Sequence, residues 1–115
     1  MRQRDVLASL GAVLAAAGVA LAAWAAHGAP EASRGSLQQA ALFALLHGIG
    51  IAALAPLAVK RLARIALGLL LAGTLLFSGS VFAGHVWGLP TLLAPWGGSA
   101  AILGWLLHAW QRFPR

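Results

Sequence analysis

Long apolar runs alternate with short polar breaks along this chain. The runs cover residues 6–26, 37–59, 65–87 and 91–110, and each is 20 to 23 residues long. All ten charged residues fall in the two tails and the first two connections, none inside a run. A helix needs ~20 apolar residues to cross a hydrocarbon core of ~30 Å. The runs lack the strict alternation of barrel strands, and backbone polar groups in lipid must be paired within the segment. The pattern predicts an all-α fold, an integral membrane four-helix bundle forming a single membrane domain over residues 1–115.

Breakers punctuate the pattern. The first connection, residues 27–36, holds Gly28, Pro30 and Gly35, and the third, residues 88–96, holds Pro90 and Pro95. Both read as turns. Pro56 lies near the end of the second run, where it is expected to kink the helix. The first run is longer than the 7–15 apolar residues of a signal peptide, so it is expected to be a retained span.

Charge adds orientation. A formal net charge of +6 would suggest nucleic acid in a soluble protein. Here it follows a topology code, in which basic residues stay on the cytoplasmic side. Arg2, Arg4, Lys60, Arg61, Arg64, Arg112 and Arg115 belong to one side, and Arg34 alone to the other. Both termini are therefore expected to be cytoplasmic, and no nucleic-acid partner is expected. Lys60, Arg61 and Arg64 read as topology anchors that can also meet lipid headgroups. Seven of the eight basic residues are arginine, which with abundant alanine points to a GC-rich bacterium and its inner (plasma) membrane.

Small residues recur every four positions, as in Ala8-Ala12-Ala16-Ala20, Gly18-Ala22-Ala26, Ala40-Ala44-Gly48-Ala52, Gly79-Ala83, Ser80-Gly84, Gly97-Ala101 and Ala100-Gly104. That spacing lets helix backbones approach closely. Gly48, Gly79, Ala83 and Gly104 are the expected packing positions. Trp24, Trp87 and Trp96 map to the outer boundary and Trp110 to the inner one, where indoles anchor. Trp105 lies deeper and reads as a packing residue.

Candidate chemistry is sparse. Cysteine is absent, which excludes thiolate metal sites and thiol redox chemistry. No carboxylate lies within a span, and small proton-coupled exporters need one. Four histidines remain, of which His27 and His85 map to the outer boundary and His108 to the inner. His47 lies roughly 15 Å below the outer end of its span at ~1.5 Å rise per residue. Ser78 falls at matching depth, so His47 and Ser78 are expected to face each other between the second and third helices. An ionisable group at mid-depth is a functional candidate, weighed against a neutral imidazole tying helices together.

The chain resembles the YgdD-like family of small bacterial inner-membrane proteins of unknown function, which has mitochondrial relatives. The resemblance rests on Ala25-Ala26-His27-Gly28, Leu46-His47-Gly48, Leu76-Phe77-Ser78-Gly79-Ser80, Pro95-Trp96-Gly97-Gly98 and Leu103-Gly104-Trp105. Ala25 and Leu46 stand where the family usually has glycine and an aromatic residue. The resemblance implies a four-span fold with His27 and His47 at motif positions, and no established reaction.

The expected function is non-enzymatic. The chain would serve as a structural or accessory subunit of a membrane complex, respiratory or photosynthetic in kind, or as a homo-oligomer, with the bilayer, other subunits or itself as partners. No cofactor is expected. The alternative is a haem b, quinone or metal binder using His27, His47 and His85 near the outer leaflet.

Overall fold

The computed structural model describes residues 5–114. Arg2, Arg4 and Arg115, which enter the charge asymmetry, lie outside the described residues. Four α-helices follow in order among them: α1 (Val6–His27), α2 (Glu31–Leu54), α3 (Arg61–Trp87) and α4 (Ala94–Arg112). The all-helical expectation holds. Three helices, α1, α2 and α3, are long and apolar enough to cross a membrane. The fourth run does form a helix, but Trp96, Ser99, His108 and Gln111 dilute its apolar content, and α4 does not join that set.

Local chemistry sets the helix ends. Asp5 caps α1, its Oδ1 accepting the Ala8 N–H at 3.1 Å. A carboxylate there satisfies an orphan donor and meets the positive end of the helix. Gly28 to Pro30 make the whole first turn, so α2 starts at Glu31, six residues before the apolar run does. Hydropathy marks where a helix becomes apolar, not where it begins. Pro56, lacking an N–H, ends α2 at Leu54 and leaves one 3₁₀ turn, Ala55–Leu57. At the end of α3 the chain reverses on Gly88, whose φ of 70° only glycine adopts freely.

The helices pack as two hairpins, α1 with α2 and α3 with α4, joined through α2 against α3. Each hairpin closes on glycine. A Cβ placed on Gly48 would lie 2.5 Å from the Ala15 nitrogen and 2.7 Å from the Gly11 carbonyl oxygen. Gly11 meets Gly48 and Ala52 in return, and Gly18 meets Ala41 and Leu45. Across the second hairpin, a Cβ on Gly97 would collide with the Phe77 nitrogen, and one on Gly73 would come 2.6 Å from the Gly97 oxygen. Gly104 abuts the Ala66 carbonyl. Helix backbones touch at these points, so any side chain must push them apart.

The period of this packing differs from the four-residue repeats read in the sequence. The buried face of α1 is Gly11, Leu14, Gly18 and Ala25; that of α2 is Leu37, Ala40, Ala41, Ala44, Gly48 and Ile51. On α4 it is Gly97, Ala101 and Gly104. Steps of three and four alternate, which is the 3.5-residue repeat of a supercoiled seam. On α2 the four-residue row Ala40, Ala44 and Gly48 stays on the contact face, but on α1 such a row drifts off it. Ala12, Ala16 and Ala20 accordingly turn outward, as do Ala26 and Gly79. Gly48 and Gly104 pack as expected. Gly79 does not: nothing lies within 4 Å of a Cβ built on it. Ala83 is only half-buried and closes no hairpin.

Gly48→Val and Gly97→Val are expected to lower stability by about 1–3 kcal/mol or more, the range for forcing extra methylenes into packed contacts. Gly98→Ala, where a Cβ meets open space, should be neutral or slightly stabilising. Unfolding by titrated denaturing detergent, followed by circular dichroism, separates the two classes.

Candidate functional site

Polar side chains inside the bundle form three separate arrangements. His47 anchors the first. Its Nδ1 lies 2.8 Å from the Phe43 carbonyl, one turn back on α2. Its Nε2 accepts the indole N–H of Trp105 from α4 at 3.1 Å. A carbonyl can only accept and an indole N–H can only donate. The ring therefore carries its hydrogen on Nδ1 and a lone pair on Nε2, and both nitrogens are satisfied. Aromatic faces continue the contact. Phe43 stacks on His47 at 4.1 Å between centroids and meets Phe77 of α3 in a tilted pair at 4.5 Å. Trp105 meets His108 edge-on at 6.1 Å. The row Phe77–Phe43–His47–Trp105–His108 ties α2, α3 and α4 together.

Ser78 belongs to the second arrangement. Its hydroxyl donates to the Ala40 carbonyl of α2 at 2.8 Å, and Thr74 donates to Leu70 on its own helix at 2.6 Å. The expected α2–α3 contact at Ser78 is present, but its partner is the Ala40 backbone and not His47. Antiparallel register explains the difference. Ala40 lies opposite Ser78, and Ala55 opposite Arg64. That register puts His47 level with Leu71, two turns from Ser78. Sequence reasoning missed Trp105 as the partner. The signal was a tryptophan inside the span whose N–H required an acceptor.

The third arrangement lies where α2 turns into α3. Arg64 bonds the carbonyls of Ala55 at 3.2 Å and Ala58 at 3.1 Å, and pairs with Asp5 at 2.9 Å. One guanidinium thus covers the exposed carbonyls after α2 and holds the cap of α1. Arg64 is occupied inside the chain, unlike a free headgroup anchor, whereas Lys60 and Arg61 are exposed. The Arg64 hydrogen bond, helped by the Ala8 N–H, holds the Asp5 carboxyl below its usual range.

His27 and His85 are exposed. His85 Nδ1 lies 3.1 Å from the Ser33 hydroxyl, joining the end of α3 to the start of α2. Among the described residues, no three of His, Cys, Asp and Glu cluster as metal ligands. His47 and His85 hold different partners, Phe43 and Trp105 for the one and Ser33 for the other. An axial ligand needs a free imidazole nitrogen, and His47 has none without breaking a bond.

Residues 21–98 match a protein family described as a protein of unknown function (DUF423). Comparison with curated proteins and with solved structures gives no match.

Two outcomes follow from these geometries. A double-mutant cycle between His47→Ala and Trp105→Phe should give a coupling of about 0.6 kcal/mol, and no more than about 1.7, the scale of membrane interhelical hydrogen bonds. Zero coupling would place the rings apart. Asp5 has a lowered folded pKa, so its stabilisation is complete above its unfolded value of about 3.9 and fades as acid titrates it. Unfolding measured from about pH 6 down to about pH 2 should show that loss, and Asp5→Asn should flatten it.

Proposed function

The chain belongs to the DUF423 family of proteins of unknown function, and on that footing we propose a non-catalytic integral membrane protein that packs with other chains in the bilayer. In this reading α4 is the fourth span, both termini are cytoplasmic, and the membrane is the bacterial inner one. The narrower kinship with YgdD-like proteins and their mitochondrial relatives belongs to the same reading.

One observation carries it: the surface is apolar, while inside, among the described residues, the Ser80 hydroxyl is the one buried side-chain polar atom without a partner. Val13, Val19, Leu42, Leu46, Ile49, Leu75, Ile102, Leu103 and Leu106 all point outward. Only 17% of the apolar window of α1, and 33% of those of α2 and α3, is buried within the chain. Water would not tolerate such a face, and lipid or a neighbouring helix would. Inside, His47, Thr74 and Ser78 spend their polar atoms on backbone or indole. Ala12, Ala16 and Ala20 face outward on α1 at four-residue spacing, which supports close approach by another helix.

Extraction from native membranes in mild detergent, followed by native mass spectrometry, tests the reading. The expected result is a species heavier than the single chain, containing a second copy or other membrane subunits. A consistently monomeric, partner-free chain would sink it. The visible spectrum of the same sample should be featureless. A haem band there would instead favour the histidines as ligands.

A further inference from the structure

An apolar groove runs between α1 and α3, floored by Ala44 of α2. Its volume is about 600 Å³, within the range of about 300–1,000 Å³ usual for ligand sites. Small residues open its middle: Ala17 and Ala20 on one wall, Gly79 on the other. Leu14 to Trp24 on α1 spans about 15 Å at 1.5 Å per residue. That is half of a ~30 Å hydrocarbon core, or one leaflet.

Two hydroxyls lie in the groove, and neither is free. Thr74 and Ser78 both donate to backbone carbonyls. A polar ring, such as a quinone head, would find no donor at mid-groove. Hydrocarbon would lose nothing there. Polar groups gather instead at one end. Trp24 closes the groove, and Arg34 Nε donates to the carbonyl of the next residue, Ala25, at 3.2 Å. Val86 lines the opposite wall, and its neighbour His85 bonds Ser33, the residue before Arg34. Among the described residues the one ion pair joins Asp5 and Arg64 at the other end of the bundle. Arg34 is therefore not paired with Glu31, three residues before it. A guanidinium outside any ion pair, held on the residue after Trp24 at one end of a leaflet-length apolar groove, complements one kind of amphiphile.

We propose that this groove binds one acyl chain of an anionic glycerophospholipid, with the headgroup phosphate on Arg34. His85 and Ser33 flank the phosphate, and Trp24 seats at the level of the glycerol. Arginine suits phosphate because its planar fork offers parallel donors. The basic residue on the sparsely charged side of the chain thereby gains a role that topology does not give it. This site rests on the membrane reading above.

The full chain in mild detergent, titrated with phosphatidylglycerol or phosphatidylcholine and followed by native mass spectrometry, tests the proposal. Phosphatidylglycerol is expected to bind about fivefold more tightly, the worth of one basic side chain near an anionic lipid. Arg34→Gln should bring the two lipids level. Gly79→Leu should remove both adducts by filling the groove. A Cβ at Gly79 meets nothing, so this variant should fold, and Gly98→Leu serves as the matched control. Equal binding of both lipids, or adducts that survive Gly79→Leu, would overturn the site. A dimer lost in Gly79→Leu without any lipid adduct would overturn it in favour of a second copy. Alkaline washing of membranes separates the two levels of failure. A chain released to the aqueous phase defeats the membrane reading itself, whereas a retained chain with no lipid preference defeats only the site.

Discussion

Contact between helix backbones is the constraint on which this structure depends. Gly11 against Gly48, and Gly73 against Gly97, leave no space for even one methyl group. Glycine within a helix costs about 1 kcal/mol relative to alanine, and among apolar lipid tails no hydrophobic force drives helices together. Close approach offsets the cost through dispersion and through weak contacts between Cα hydrogens and carbonyl oxygens. Two hairpins result, each drawn tight along one seam. Larger fully buried side chains, Leu37, Ile51, Leu67 and Leu70, complete the core around these seams.

Tight hairpins also decide where polar groups go. Within hydrocarbon an unpaired donor or acceptor is expensive. The Ser78 hydroxyl reaches the Ala40 carbonyl because α2 and α3 come close there, and Trp105 reaches His47 across the α2–α4 side. On the α1–α3 side aromatic rings meet at one end only, where Trp24 lies edge-on to Phe82, and alanine and glycine leave the middle open. The bundle is filled on one flank and grooved on the other. That asymmetry makes the groove, and not the histidine, the feature most suited to meeting another molecule.

Arg64 couples the ends of three helices without entering the apolar region. It contacts the turn after α2, starts from the first turn of α3, and holds the cap of α1 through Asp5. Pro56 makes the arrangement necessary, since breaking α2 frees carbonyls that need a donor. A residue that reads in sequence as one of a group of topology charges is, in the fold, the fastener of one end of the bundle.

By itself the sequence determined the number of helices, their type and their approximate limits. Hydropathy, proline and glycine act locally and can be read in one dimension. It also marked His47 and Ser78 as the polar residues to follow. Tertiary structure alone decided their partners. In a chain this rich in alanine, small residues recur at spacings of four and of seven alike, so Gly79 and Gly48 look equivalent. Helix rotation and antiparallel register separate them: Gly48 is pressed against Ala15, and Gly79 faces an open groove. Register likewise moves Ser78 two turns from His47 and brings in Trp105 from a helix 58 positions away in sequence. Rotation and register come from how neighbours fit, a physical quantity that no single segment carries.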